Sequence, residues 1–328
     1  MRLNKPDKLQ KGDTIGIVAT SFPLTADLFP YYELQYQKAV SVVKDMGFHV
    51  KEAKNLRKTK WWYAGTPQER ADDINAMYAD GDVKAIIVHE GGQSAIATLE
   101  LIDYNLVYQN PKPFIGFSDI TNIHLAMYTK AGLAGFQGPL LTYSLGKIWE
   151  KYLPQKAEEG KQLFVKSITS TEPLGKINPL TQWECWRPGK ATGILFGGNL
   201  SNIVTLLGTQ YYPKLEDIKG CVFFWEKDNS PSYYIEKQLY QLKYSGLFRV
   251  ISGMMVGKLP GIKKTAWAGL EEPTPKEIIL EVLKDYDFPI IGEVDFGHET
   301  VSIPMPIGLK ATIDAANLTL EFLESAVK

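Results

Sequence analysis

Few residues in this chain could do covalent chemistry, and the first is Ser118, in the run PFIGFSDITNIHLAMY. A serine between the end of a buried strand and the start of a helix sits on a tight turn that pushes its hydroxyl above the sheet edge. There the backbone amide of Asp119 and the helix N-terminus both point toward developing negative charge. This is how an activated nucleophile is placed, although Gly-Phe-Ser-Asp lacks the glycine two residues after the serine that nucleophile-elbow hydrolases carry. The same position also suits a plain N-cap serine.

A nucleophilic serine needs a base, and the chain has four histidines, His49, His89, His124 and His298. His49 falls in an early strand and His124 in the helix after Ser118, where packed or surface imidazoles are the simpler expectation. His89 ends a strand at the sheet edge that carries Ser118. His298 follows a strand in EVDFGHETVSIPMPIG, in a glycine-containing loop from which an imidazole can swing toward a cleft. Residue physics favours His298 and leaves His89 open. A third group must orient the imidazole and stay ionised. Glu226 ends the apolar run GCVFFWE, where a carboxylate does little for stability; the plain alternative is a strand cap or a partner for Lys227 or Lys237.

A second oxyanion donor could come from Gly91-Gly92 at the end of VKAIIVHE, since paired glycines allow close backbone approach to a ligand. Gly91 and Gln93 beside it are candidate substrate contacts. The stretch GGQSAIA has neither the glycine spacing nor the Gly-Lys-Ser/Thr ending of a phosphate loop, and GGNLSN at 197–202 has no lysine, so a nucleotide cofactor is disfavoured. Trp183 and Trp186, in the polar loop TQWECWRPG, could wall a base, sugar or peptide ring, or pack between domains. Cys185 and Cys221 have no second pair to complete a thiolate metal site and read as small buried hydrophobes.

The elements that must position these residues follow from periodicity. TIGIVAT reads as a buried parallel strand. Tyr36, Val40, Val43 and Met46 then mark a helix stopped by Gly47, leading into the strand FHVKEA. Thr66 and Glu69 form a capping pair that opens a helix to about Asp80. VKAIIVHEGG, a helical ATLELIDYNLVY, the strand KPFIGFSDI and the helix ITNIHLAMYTKAG complete an open parallel sheet with helices on both faces. After a Pro- and Gly-rich middle, ATGILFGG, KGCVFFWEKD, RVISGMMVGKL and FPIIGEVDFGH are short strands between helices, an α+β half expected to curl into a partly closed sheet. We therefore expect an α/β domain at 1–155 carrying the serine, a linker at 156–185, and a second domain at 186–328. A length of 328 residues fits two domains at about 150 residues each.

Thirty-six basic against 37 acidic side chains give a net charge of −1, and 45% of residues are hydrophobic. That balance excludes disorder and disfavours a nucleic-acid polymer as partner, which would need a concentrated positive field. The opening MRLNKPDKLQKGDT has no apolar stretch of a signal peptide, and no run is long enough to span a membrane, so a cytoplasmic protein is expected.

Four separated blocks, GFSDITNIHLAMY, GGNLSNIVTLLGT, VFFWE followed by a Tyr-Ile-Glu-Lys helix, and FGHETVSIPMPIG, resemble the serine LD-carboxypeptidase family, which includes murein tetrapeptide carboxypeptidases and microcin C self-immunity peptidases. The resemblance covers essentially the whole chain. It implies Ser118 as nucleophile, His298 as general base, Glu226 as its orienting partner, and the amides of Gly92 and Asp119 as oxyanion hole. It implies an acyl-enzyme route with no metal or organic cofactor, a small peptide or aminoacyl-nucleotide substrate, and a homodimer. Many murein-cleaving members carry Arg-Gly-Gly-Tyr-Gly where this chain has His89-Glu90-Gly91-Gly92-Gln93-Ser94, while WWYAGTPQERADDIN and TQWECWRPG look more like the microcin-immunity branch. The rival from another class is a non-catalytic small-molecule binding protein, since two α/β domains with a cleft also suit solute capture.

Overall fold

β-Branched runs in the first half become adjacent strands because each can be buried on both faces only inside a helix-covered parallel sheet. The structure, a computed structural model, describes residues 3–25, 27, 30–263 and 272–328. In chain order the first half runs β1 (Thr14–Val18), α1 (Tyr32–Asp45), β2 (His49–Glu52), the hairpin β3 (Thr59–Lys60) and β4 (Tyr63–Ala64), α2 (Pro67–Ala79), β5 (Val83–Val88), α3 (Tyr104–Gln109), β6 (Phe114–Gly116), α4 (Thr121–Ala131) and β7 (Gly135–Gln137). A wide π-type turn of helix at Leu141–Ile148 and α5 (Pro154–Thr169) follow. The capping pair forms as the sequence implies, with the Thr66 hydroxyl accepting from the Glu69 amide and the Glu69 carboxylate accepting from the Thr66 amide. ATLELIDYNLVY is not one helix. It breaks into a 3-10 turn at Ala95–Thr98 and α3, because the Asp103 side chain accepts from the amides of Asn105 and Leu106 and starts a new helix there.

The second half adds β8 (Gly175–Ile177), β9 (Glu184–Arg187), β10 (Lys190–Asn199), α6 (Leu200–Thr205), β11 (Val222–Glu226), α7 (Ser232–Tyr244), β12 (Gly253–Gly257), α8 (Pro275–Val282), β13 (Ile290–Val294), β14 (Met305–Ile307), β15 (Lys310–Asp314) and β16 (Thr319–Phe322). The first sheet has the order β14-β7-β6-β5-β1-β2, and the second β8-β16-β15-β10-β11-β12-β13-β9. In the first sheet all neighbours are parallel except β14, which returns from the far end of the chain to pair antiparallel with β7. In the second, β10 to β13 form a parallel centre flanked by antiparallel strands. The second sheet is linear in hydrogen-bond order, with β8 and β9 as its edges, so its curl stops short of a barrel.

The stretch expected as a linker, 156–185, holds most of α5 and the strand β8. The loop expected around WECWR is the edge strand β9, which hydrogen-bonds to β13. Cys185 on this strand is exposed, unlike the buried Cys221, whose thiol burial pushes up to about 12. No helix among the described residues is long and apolar enough to cross a membrane.

Candidate active site

The carboxyl ends of parallel strands are where open α/β sheets bind ligands, and both sheets turn such ends toward one place. Ser118 follows β6 on a short 3-10 turn that runs into α4. Its φ of 67° lies in the left-handed region, which costs a non-glycine residue free energy and is held only where the surroundings enforce it. Gly91 leaves room for it: a Cβ on that residue would lie 3.3 Å from the Ser118 Cβ and 3.4 Å from its Oγ. Ser118 and His298 line one cleft of about 350 Å³, together with Glu90, Gly91, Gly92, Gln93 and Asp228.

His298 lies in the loop after β13, and its Nδ1 donates to Glu226 Oε2 at 2.7 Å. Glu226, the last residue of β11, is fully buried, and its other oxygen accepts from Asn199 Nδ2 at 3.0 Å. The loop can come this near only because residue 297 is glycine: with φ 104°, a Cβ there would meet the Glu226 Cβ, Cγ and Oε2, each at 2.8 Å. Phe117 meets the His298 ring edge-on at 4.7 Å between centroids. Burial works against the imidazolium, but Glu226, then Asp228 and Glu90, outweigh it and hold His298 above its ordinary value. With Nδ1 committed to Glu226, Nε2 is the nitrogen left to serve the cleft.

The other histidines are not brought to this arrangement. His89 is fully buried, with Nε2 donating to the Phe22 carbonyl at 2.9 Å and Nδ1 bonded to the Thr142 hydroxyl at 3.1 Å, which removes it as a base for Ser118. His124 donates to the Phe114 carbonyl within α4 packing, and His49 is exposed on β2. The Asp119 side chain turns inward, accepting from the Ser21 hydroxyl and from the amides of Ser94 and Ala95 at 3.0 and 3.1 Å. Burial raises this carboxyl despite those donors and nearby Arg70. It ties down the loop after Gly92 and leaves the Asp119 amide at the start of the helical turn, where N–H groups lack intrahelical acceptors.

The two tryptophans are placed elsewhere than on this cleft. Trp183 is 3% exposed, its indole donating to Asp295 Oδ2 at 2.7 Å, so it is a core residue and not an aromatic wall. Trp186 is half-buried over Gly292, with its indole bonded to Glu184 and Lys276 near its ring. Neither is among the residues lining the cleft. Among the residues that sequence reasoning passed over, Asn199 stood in view as the polar residue at the strand–helix junction of GGNLSN. Glu90 and Asp228, each next to a residue already singled out, carried no spacing signal. Among the described residues no group of three or more His, Cys, Asp or Glu is arranged to hold a metal.

The LD-carboxypeptidase N-terminal domain matches residues 15–138, and the LD-carboxypeptidase C-terminal domain matches residues 192–313. A Bacillus subtilis protein named "Probable murein peptide carboxypeptidase" is 33% identical, covering 96% of this chain and 93% of its own. The microcin C7 self-immunity protein MccF of Escherichia coli is 27% identical, over 96% of this chain and 94% of that protein. An MccF-like protein from Bacillus anthracis superposes with a TM-score of 0.83 at 28% identity, over 97% of this chain and 99% of that one.

Proposed function

The chain belongs to the LD-carboxypeptidase family of serine-type peptidases, and from that premise we propose that Ser118, His298 and Glu226 form its catalytic triad. The observation that carries this reading is the 2.7 Å bond from His298 Nδ1 to a fully buried Glu226, in the cleft that the left-handed Ser118 also lines. Ser118 Oγ attacks the carbonyl carbon of an amide near a free carboxylate while His298 Nε2 takes the hydroxyl proton. Glu226 keeps Nδ1 protonated and offsets the imidazolium charge. The amides of Gly92 and Asp119 receive the oxyanion, and Gly91 and Gln93 contact the bound chain. When the tetrahedral adduct collapses, the imidazolium gives its proton to the leaving amine and an acyl ester remains on Ser118. Water, deprotonated by the same Nε2, then releases the acid.

The substrate class is a small peptide or peptidyl conjugate. Relatives named for murein peptides and for microcin C7 self-immunity make a murein tetrapeptide and an aminoacyl sulfamoyl adenosine the two probes to set side by side, with products read by LC-MS. Ser118→Ala is expected to leave about 10⁻³ of the activity or less, and a fluorophosphonate should label Ser118 in the wild type alone. A binding protein without catalysis would show neither turnover nor label. The same reading makes the enzyme cytoplasmic and homodimeric, the latter tested by light scattering.

A further inference from the structure

Beside the proposed nucleophile lies a carboxyl group that the triad does not use. Glu90 follows β5 and is 6% exposed, yet it lines the same cleft as Ser118 and His298. Its Oε1 accepts from the Gly91 amide at 3.0 Å, which fixes the side chain against the backbone that touches the serine. A Cβ on Gly91 would fall within 3.4 Å of Ser118 Oγ, so the residue whose amide donates to Glu90 is itself packed against the reacting hydroxyl. No ion pair among the described residues involves Glu90, although its carboxyl also hydrogen-bonds to the Tyr32 side chain. The cleft's one lysine, Lys147, lies 5.6 Å from the centre of the Tyr143 ring, and Asp228 adds a second carboxylate. A buried carboxylate without a cation is costly and is stabilised when one arrives.

We propose that Glu90 is a specificity-determining residue: its carboxylate binds a primary ammonium group carried by the substrate on the carbon next to the scissile carbonyl. The proposal rests on Ser118 being the nucleophile. A carbonyl seated on Ser118 has that carbon beside Gly91, on the side of the cleft lined by the Glu90 carboxyl, which the Gly91 amide and the Tyr32 side chain hold in place. Burial pushes the free carboxyl up to about 7, with the Gly91 amide, Tyr32, Lys147 and His298 pulling the other way. An ammonium in contact draws the group toward its ionised form, and each side then satisfies the other through a charge-assisted hydrogen bond. An acetylated amine has no charge to offer and gives the buried carboxyl no such partner.

The test compares aspartyl sulfamoyl adenosine and its N-acetyl derivative, and in parallel glutamyl sulfamoyl guanosine and its N-acetyl derivative, each parent carrying its free amine on the carbon next to the acyl carbonyl. Within each turned-over pair the wild type should favour the free amine by about tenfold or more in kcat/KM, and in Glu90→Gln that ratio should fall close to one. A wild-type ratio near one, or a ratio unchanged in Glu90→Gln, overturns the proposal. Calorimetric binding of the same pairs to Ser118→Ala separates the two readings. If no probe is hydrolysed but free amines still bind more tightly and Glu90→Gln abolishes that difference, the nucleophile reading fails and the Glu90 site stands. Equal binding of both members of each pair rejects the Glu90 site whatever the turnover.

Discussion

A general base works only in its neutral form, so with His298 proposed as that base, the charges around it set the pH at which the reaction can start. Burial alone would lower its imidazole pKa; Glu226, Asp228 and Glu90 raise it above the ordinary value of about 6.5. The rising limb of kcat/KM is expected above that value. Asp228 Oδ1 stands 3.7 Å from Nδ1 without the bond that Glu226 makes, so Asp228→Asn should move the limb to lower pH while Ser118 remains reactive toward a fluorophosphonate. A limb that stays in place would show that Asp228 is screened by water. Asn199→Ala tests the carboxylate from the other side. It strips Glu226 Oε1 of its donor in a fully buried site, which costs about 1–3 kcal/mol, and kcat should fall by tenfold or more. Ser118, Glu226 and His298 can be named as candidates from the sequence because each stands where an apolar strand ends. Residue patterns leave His89 and a plain strand-cap role for Glu226 open, and it is the family resemblance that joins the three into one proposed triad. Glu90, Asp228 and Asn199 cannot be so named, because their importance comes from contacts across 27 or more positions of chain, as between Asn199 and Glu226, or from burial that no local pattern encodes.

Elements follow the sequence most closely where a local hydrogen bond defines them, as at the Thr66–Glu69 cap and at Gly132, which ends α4 with φ 62°. They depart from it where a distant strand decides. WECWR becomes a strand because β13 offers an open edge, and Asp295 just beyond β13 collects the amides of Leu180 and Thr181 and the indole of Trp183. Trp183→Phe keeps an aromatic group but removes both the donor to that buried carboxylate and part of the packed indole, a loss of about 1.5–3 kcal/mol for the hydrogen bond with a cavity cost added. It should appear as a lower thermal midpoint with the preference between adenosine and peptide substrates unchanged; a changed preference with unchanged stability would return Trp183 to the ligand. The helix and strand that hold His124 and His89 bury both imidazoles, and burial lowers both to about 4 despite their bonds to the carbonyls of Phe114 and Phe22. Unfolded, each would titrate near 6.5, so between about 6.5 and 4 the unfolded chain takes up protons that the folded one refuses. Stability present above that window is then lost on acidification, at up to about 1.4 kcal/mol per pH unit for each histidine. Urea midpoints measured from pH 7 to pH 4.5 should fall accordingly, and His124→Asn should flatten the slope.

At the scale of the whole molecule, the site exists only where two sheets meet. Ser118 comes from the first sheet and Glu226 and His298 from the second half of the chain, and the seam is held by the Asn199 amide donating to the Thr121 hydroxyl at 2.9 Å and by Asn122 reaching Asn202 at 2.8 Å. The halves are also laced together at the opposite end of the chain, since β14 pairs with β7 and closes the edge of the first sheet. A domain boundary near residue 155 therefore describes where the serine-bearing sheet ends in sequence but leaves that sheet one strand short. A fragment of residues 1–155 would expose the buried edge Gly135–Gln137, the kind of open strand that seeks another chain, and would hold Ser118 without its base. We expect this fragment alone to aggregate and to remain unlabelled by a fluorophosphonate. Co-expressed with residues 156–328, it should recover both solubility and labelling, because the second fragment returns β14 to the edge and His298 to the serine together. A soluble fragment 1–155 that melts cooperatively and labels at Ser118 would mean that the serine is activated within the first sheet, and the division of the triad between the two halves would be wrong.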